Sequence, residues 1–437
     1  MTFCSTEKIE FARSKGRKIE AEFDGGDITS DGGILLLRMA DRKLGLIEKI
    51  SSLIEDPRDQ GKCDHKQAAM LRQRIFGLAL GYEDVNDHIT LRGDKAFQAA
   101  VEKSTDLASA STLCRLENRI TRKALWKISE ALVDVFVGSH KKPPKKLVLD
   151  FDATDDPVHG DQLGGVFHGY YGGYCFLPLY VFCGEFLLAA YLRPGDSDPA
   201  GHAWGILALL VKKLRRAWPK VKIVFRGDSG FCRPQILEWC DKEKVDYIVG
   251  IGKNKVLLRA SQGLIDQSAE RYDRTGKKQR LFDDFDYAAG TWKRSRRVIV
   301  KAEHTAKGSN PRYVVTSLTG APQHLYDKMY CVRGEMENRI KEQQLYLFAD
   351  RTSCMNWLPN QFRMLLSGIA YTLLQTIRRL GLCGTELAHA RCDTIRLKLL
   401  KIGAAVVENT RRIRFLLSSA YPWQRLFRQV VANMKAG

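Results

Sequence analysis

Three acidic residues, Asp152, Asp228 and Glu337, stand in contexts suited to holding divalent metal. Asp152 lies near the end of an apolar run, Leu147-Val-Leu-Asp-Phe-Asp-Ala-Thr-Asp-Asp156, and Asp228 follows a second, Ile223-Val-Phe-Arg-Gly-Asp-Ser-Gly-Phe231. Glu337 lies in Tyr330-Cys-Val-Arg-Gly-Glu-Met-Glu-Asn-Arg-Ile-Lys341, which reads as a helix. Carboxylates at the ends of two buried-type strands, with a third on a later helix, can converge on one point. Such a site can hold two Mg²⁺ ions, roughly 3.5–4 Å apart, that clamp the attacking and leaving oxygens of a phosphodiester. The charge of the chain points to the same partner: 70 Lys plus Arg stand against 50 Asp plus Glu, a net +20.

Strand alternation separates the neighbouring carboxylates. Val148, Asp150, Asp152 and Thr154 share one face of the first strand, and Leu147, Leu149 and Phe151 share the other. Asp152 is nearer the strand end, where a site can open to solvent, and Asp150 is the alternative. Around Glu337, Tyr330, Arg333, Glu337 and Lys341 fall within roughly an 80° arc of one helix face. That face sets a carboxylate between cations able to hold a phosphodiester. A solvated Glu–Lys pair at i,i+4 is the bland reading of Glu337 and Lys341.

The elements that must position these residues change in texture along the chain. Residues 1–145 read as a mainly helical N-terminal domain, with helical patterns after Ser30-Asp-Gly-Gly, at Gln67 to Leu80 and at Thr112 to Val137. The Pro-containing basic linker Lys141-Lys-Pro-Pro-Lys-Lys146 is the expected boundary. Residues 146–254 then read as α/β, with strands at 147–152, 177–183, 186–192 and 221–227 and a helix at 202–217, arranged in a mixed sheet. Residues 255–320 read as a β-rich insertion around Lys293-Arg-Ser-Arg-Arg297. Residues 321–380 resume in long helices, at 324–345 and 357–380, and residues 381–437 form a basic C-terminal region. From Ile377 to Gly437 there are twelve Lys or Arg and three acidic residues, with Phe415, Tyr421, Trp423 and Phe427 interleaved. Such a segment suits phosphate contact and stacking, with Arg411, Arg412 and Arg414 as candidate DNA contacts. It equally suits an amphipathic helix packed on the catalytic domain.

Composition narrows the class. A chain of 437 residues with 44% hydrophobic and 27% charged residues is globular and needs more than one core. No apolar run approaches a membrane span. The first residues lack a basic segment followed by an apolar one, so a cytoplasmic protein is expected, associated with the nucleoid if its partner is DNA. Eleven cysteines fall singly with no Cys-x-x-Cys, and Cys63-Asp-His65 is too isolated for zinc.

At its acidic residues the chain resembles DDE transposases of bacterial insertion sequences. Asp152-Ala-Thr154 is similar to the first-aspartate motif, Arg226-Gly-Asp-Ser-Gly-Phe231 to the second, and Tyr330-x-x-Arg333-x-x-x-Glu337 to the Tyr–Arg–Glu signature. The resemblance is to the insertion-sequence 1380 branch. It extends through Phe167-His-Gly-Tyr-Tyr-Gly-Gly-Tyr-Cys-Phe-Leu-Pro-Leu-Tyr180, Leu192-Arg-Pro194, Asn360-Gln-Phe-Arg363 and Thr394-Ile-Arg-Leu-Lys-Leu-Leu-Lys-Ile-Gly-Ala404. Two departures stand out. Gln344 occupies the place of the signature's distal lysine, a role open to Lys341, and Gly195 is inserted after Leu-Arg-Pro.

The resemblance implies an RNase H-like catalytic domain split by the insertion. It implies Asp152, Asp228 and Glu337 as catalytic and metal-holding residues, with two Mg²⁺ per site and Mn²⁺ able to substitute. Tyr330, Arg333 and Lys341 would contact DNA, and Trp292 would receive a base near the cleavage site, unless it serves a small β core. The partner would be double-stranded DNA, as terminal inverted repeats and target, bound by a homodimer, with residues 1–145 as a helical N-terminal DNA-binding domain that shares recognition with the basic tail. An RNase H-like nuclease or resolvase that cuts without joining, and a non-catalytic DNA-binding descendant, are the rival readings.

Overall fold

The computed structural model describes residues 8–436; the leader reading of Met1 to Glu7 lies outside them. The chain divides into two compact units, one of Met1–Arg119 with Ile369–Gly437 and one of Ile120–Gly368.

The second unit is built on a nine-stranded mixed sheet. Its strands are β1 (Lys146–Ala153), β2 (Leu179–Cys183), β3 (Phe186–Tyr191), β4 (Lys222–Gly227), β5 (Asp246–Ile251), β6 (Gln279–Tyr287), β7 (Arg296–Thr305) and β8 (Arg312–Thr316). They lie in the order β6-β7-β8-β5-β4-β1-β2-β3, with Gly308–Ser309 paired to β7 off this path. β4 is parallel to both β1 and β5 at the centre, and the remaining pairs are antiparallel. The central strands read as continuous apolar runs because both faces are covered. On one face Leu147, Leu149, Phe151, Ile223, Phe225, Tyr247 and Val249 pack under three helices. These are α1 (Arg122–Gly138), α2 (Ala203–Ala217) and α3 (Pro234–Lys242). On the other, Val224, Ile248, Ile299 and Val314 pack against Leu325 and Tyr326. Asp150 and Asp152 share this second face with Val148, as the pleat requires.

Three differences from the sequence reading have physical causes. The helical pattern at Thr112 to Val137 is two helices, Ala110–Asn118 and α1, and α1 packs its apolar stripe on the sheet instead of in the N-terminal domain. Phe136 meets Phe186 of β3 and Trp218 edge-on, at 5.1 and 5.8 Å between ring centroids. The compact boundary therefore falls at Ile120 and not at the basic linker. Residues 255–320 contain a 14-residue helix, α4 (Gln262–Thr275), as well as strands. Their strands extend the main sheet, β8 pairing with β5 from Ile248 opposite Thr316 to Ile251 opposite Tyr313. A free edge on β5 is thereby satisfied. The helix expected over 324–345 is segmented: Leu325–Tyr330 is a π-helix, Cys331–Arg333 a 3₁₀ turn, and α5 spans Gly334–Leu347.

The first unit is mainly helical, with helices at Leu35–Leu44, Leu46–Leu53, Gln67–Leu80, Lys95–Val101 and Ala110–Asn118. Its core includes a buried ion pair, Arg74 Nε to Glu117 Oε1 at 2.8 Å. The tail belongs here: Ala404–Asn409 pairs with both Ile28–Thr29 and Arg412–Leu417, and the final helix is Gln424–Ala436. No helix among the described residues is long and apolar enough to cross a membrane.

Candidate active site

The register of β1 and β4 sets the site. Asp150 lies opposite Arg226 and Phe151 opposite Gly227, so Asp152 and Asp228 leave the same end of adjacent parallel strands. Ligands favour this end in open α/β sheets. Asp228 turns the chain at once: its Oδ1 accepts a hydrogen bond from the Gly230 N–H at 2.8 Å, capping the 3₁₀ turn Ser229–Phe231. Phe231 then buries under the sheet.

Glu337 comes to these aspartates through Arg333. The Arg333 guanidinium donates from Nη1 to Asp152 Oδ2 at 3.1 Å and pairs through Nη2 with Glu337 Oε1 at 3.0 Å. The Asp152 carboxyl is raised to about 7, chiefly by burial, with Arg333 pulling it down and the like charges of Asp228 and Glu337 adding to the rise. Burial opposes the charge of Arg333, yet Asp152, Tyr330, Glu337 and Asp228 together raise its pKa. One cation thus faces three carboxylates.

Tyr330 completes this cluster. A side chain at Gly250 of β5 would place its Cβ 2.5 Å from the Tyr330 hydroxyl and 2.9 Å from the Ser229 nitrogen. Only glycine lets the phenol lie against the turn that carries Asp228. Burial raises the Tyr330 pKa, with Arg333 lowering it and Asp228 raising it. Sequence reading passed over Gly250, although a glycine within a strand is a recognised signal of close backbone approach.

Asp150, the alternative to Asp152, has a different occupation. Its two oxygens accept from Arg226 Nε and Nη2, the latter at 2.7 Å, and Arg226 Nη1 donates to the Met329 carbonyl. The pair ties β1 and β4 to the π-helical segment. Burial raises the Asp150 pKa against the pull of Arg226.

The other expected contacts are more dispersed. Lys341 is exposed, with no ion pair among the described residues, and Gln344 Nε2 donates to the Asp155 carbonyl at 2.8 Å. Trp292 packs edge-on against Tyr287 at 5.5 Å and under the Arg296 guanidinium at 5.7 Å, over the core beneath α3. Arg411, Arg412 and Arg414 are exposed on the hairpin of residues 404–417, without ion pairs among the described residues.

As the side chains stand, no three His, Cys, Asp or Glu groups among the described residues converge tightly enough to hold a metal ion. The donor set nevertheless fits one. Three carboxylates share one arginine, and Asp152 is short of positive charge, the condition that divalent cations relieve. Hard oxygen donors of this kind suit Mg²⁺ or Mn²⁺ over softer ions.

The family described as Transposase DDE domain group 1 matches residues 11–436 of the chain. No curated protein matches. Among solved structures, the cryo-EM structure of the piggyBac transposase synaptic complex with hairpin DNA aligns with 12% identity and a TM-score of 0.41, covering 84% of this chain and 79% of that one. That likeness is too loose to carry an argument.

Proposed function

The chain belongs to the DDE transposase family, domain group 1, and from that premise we propose that it is a transposase of a bacterial insertion sequence, of the 1380 branch. It nicks the ends of its element at terminal inverted repeats and joins the 3′-hydroxyls to target DNA, as a homodimer on the DNA. The observation that carries the reading is Arg333 bridging Asp152 and Glu337 with Asp228 alongside. The sheet order around these residues, with two antiparallel strands beside β1 and parallel β4 and β5 beyond it, supports an RNase H-like unit.

Asp152, Asp228 and Glu337 would hold two divalent ions, Mg²⁺ or Mn²⁺. When bound, these supply Lewis acidity that activates the attacking water or 3′-hydroxyl and neutralises the leaving oxygen. Arg333 is the counter-charge of Asp152 and Glu337, and its planar fork would suit a phosphate bidentately. Lys341, one turn beyond Glu337, adds a point charge toward the same strand. Gln344 holds the backbone after Asp152 by its bond to Asp155. Tyr330 fixes the Asp228 turn against β5. Positioning and charge neutralisation of this kind supply most of the catalysis in phosphoryl transfer.

A strand-transfer assay with labelled terminal-repeat DNA tests the reading. Asp152→Asn, Asp228→Asn and Glu337→Gln should each remove nicking and joining while leaving DNA affinity largely intact, because that affinity comes from cations on phosphates and none of the three carboxylates supplies it. Calorimetric titration with Mn²⁺ should show weakened metal binding in each variant. Cutting without joining by the unaltered protein would instead indicate a nuclease.

A further inference from the structure

We propose that the hairpin Val166–Phe176, with Phe167, Tyr170, Tyr171 and Tyr174, is a stacking site for unpaired bases of the DNA strand being cut. The inference rests on the transposase reading and assigns that site a second contact, to bases, besides phosphate.

From Gln162 to Cys183 the chain has no Asp, Glu, Lys or Arg, although charged residues make up 27% of the whole. Apolar content on this scale ordinarily enters a core, and the second half of the stretch does so in β2. Short of its buried root, Cys175 and Phe176, the hairpin does not. Tyr170 is 86% exposed, Tyr174 66% and Phe167 54%. Phe167 lies opposite Tyr174 across the hairpin, the rings edge-to-face at 5.6 Å, and Tyr170 meets Tyr171 edge-to-face at 5.0 Å.

Its root is close to the carboxylates and rigidly held. Phe176 pairs with Asp156, and Cys175 with Pro157, only a few residues beyond Asp152. The Thr154 N–H donates to the Pro178 carbonyl at 3.3 Å. Tyr171 is near enough to be influenced by the charges of Asp155 and Asp152, which add to burial in pushing its phenol up to about 12. The fully buried Arg193 clamps the base, donating to the carbonyls of Leu177 at 2.7 Å, Asp198 at 3.1 Å, Pro199 at 3.0 Å and Gly201 at 2.7 Å. Gly195 lies against the hairpin so closely that a Cβ there would collide with the carbonyl oxygens of Cys175 and Val166. Only glycine fits that approach.

The result is a fixed root and a tip of solvent-facing rings beside a phosphodiester site. The rings bring no positive charge to a phosphate, whereas every base has a π-face that an exposed aromatic can cover. Bases inside a duplex are already stacked on one another, so the ligand is an unpaired one. The polar hydroxyls of Tyr170 and Tyr174 also suit a wet nucleic-acid surface better than a dry protein interface.

The test uses the full-length protein in chelator, so that no cutting occurs. The probes are a twelve-nucleotide single strand carrying 2-aminopurine and its blunt duplex. Tyr170→Ala with Tyr174→Ala should weaken single-strand binding by roughly 5- to 150-fold per lost stack and relieve 2-aminopurine quenching, leaving duplex affinity unchanged. Tyr→Phe at both positions should restore binding, and an unchanged melting midpoint shows that the fold is intact. Unaltered single-strand affinity and quenching, equal losses for both probes, or a change of oligomeric state as the only effect would overturn the proposal. The transposase reading fails separately, if Asp152→Asn leaves Mg²⁺-dependent cutting intact; that variant should keep the quenching.

Discussion

Two neighbouring aspartates on one strand face carry different loads, and their substitutions should separate accordingly. Asp150 is locked to the buried Arg226, so Asp150→Asn leaves a buried guanidinium without its counter-charge. Breaking such a pair costs about 3–5 kcal/mol, and chemical denaturation should read a loss of that order. Asp152→Asn should cost little stability, because it removes one of three mutually repelling carboxylates. If the two variants lose equal stability, the division of roles between them is wrong. Gly250 gives a second contrast. Gly250→Ala drives a methyl into the Tyr330 hydroxyl and the Asp228 turn. Overpacking of this kind costs about 1–3 kcal/mol, and nicking should fall by up to about 100-fold, since a 1 Å displacement of a positioned group can cost that much. Tyr330→Phe in the same chain should restore part of the stability, and a stability unchanged by it would show that the clash lies elsewhere.

At the scale of elements, the helix Gln67–Leu80 shows how a buried group makes packing depend on pH. His88 is fully buried against Gly77 of this helix, edge-on to Phe97, with Gln73 Nε2 3.3 Å from its Nδ1. Burial lowers its pKa to about 3, helped by Arg74 and opposed by Asp84. The folded state therefore keeps His88 neutral while the unfolded chain protonates it below pH 6.5. Its contribution is complete above that pH and is lost as pH falls, by about 1.4 kcal/mol per unit. Between pH 7.5 and 5 the protein should lose about 2 kcal/mol more than His88→Leu does, measured as the change in unfolding free energy of each. Parallel slopes for the two proteins would remove His88 from the account. The same scale shows what local pattern conveys. Gln67–Leu80 is read from the sequence to the residue because its apolar content ends at Gly81, which takes the left-handed conformation that closes the helix. The segment before Glu337 is not, because π and 3₁₀ turns break the 3.6-residue period that the one-face argument assumed.

For the whole molecule, a net +20 predicts salt-dependent binding to any DNA. Arg411, Arg412 and Arg414 project from an exposed hairpin. Replacing all three with Gln should lower the slope of log affinity against log salt by about 2.7, at 0.9 per phosphate contact. The loss should be the same for terminal-repeat and random duplexes, because phosphate contacts carry no sequence information. Fluorescence anisotropy over a salt series reads both quantities, and an unchanged slope would take the hairpin off the DNA.

Charge, the alternating face that separates Asp152 from Leu149 and Phe151, and the strands that carry both aspartates were legible in the residues themselves, because each depends on near neighbours and a fixed period. The tertiary structure alone decided that the helix of residues 122–138 covers the sheet and that the strands of residues 279–316 extend it. It also decided that the tail pairs with Ile28–Thr29 and that Arg226 claims Asp150 while Arg333 stands among Asp152, Asp228 and Glu337. These pairings join residues far apart in the chain, so which surface an apolar stripe covers, and which acid a given arginine meets, follows from burial and register across the whole unit and not from any local spacing.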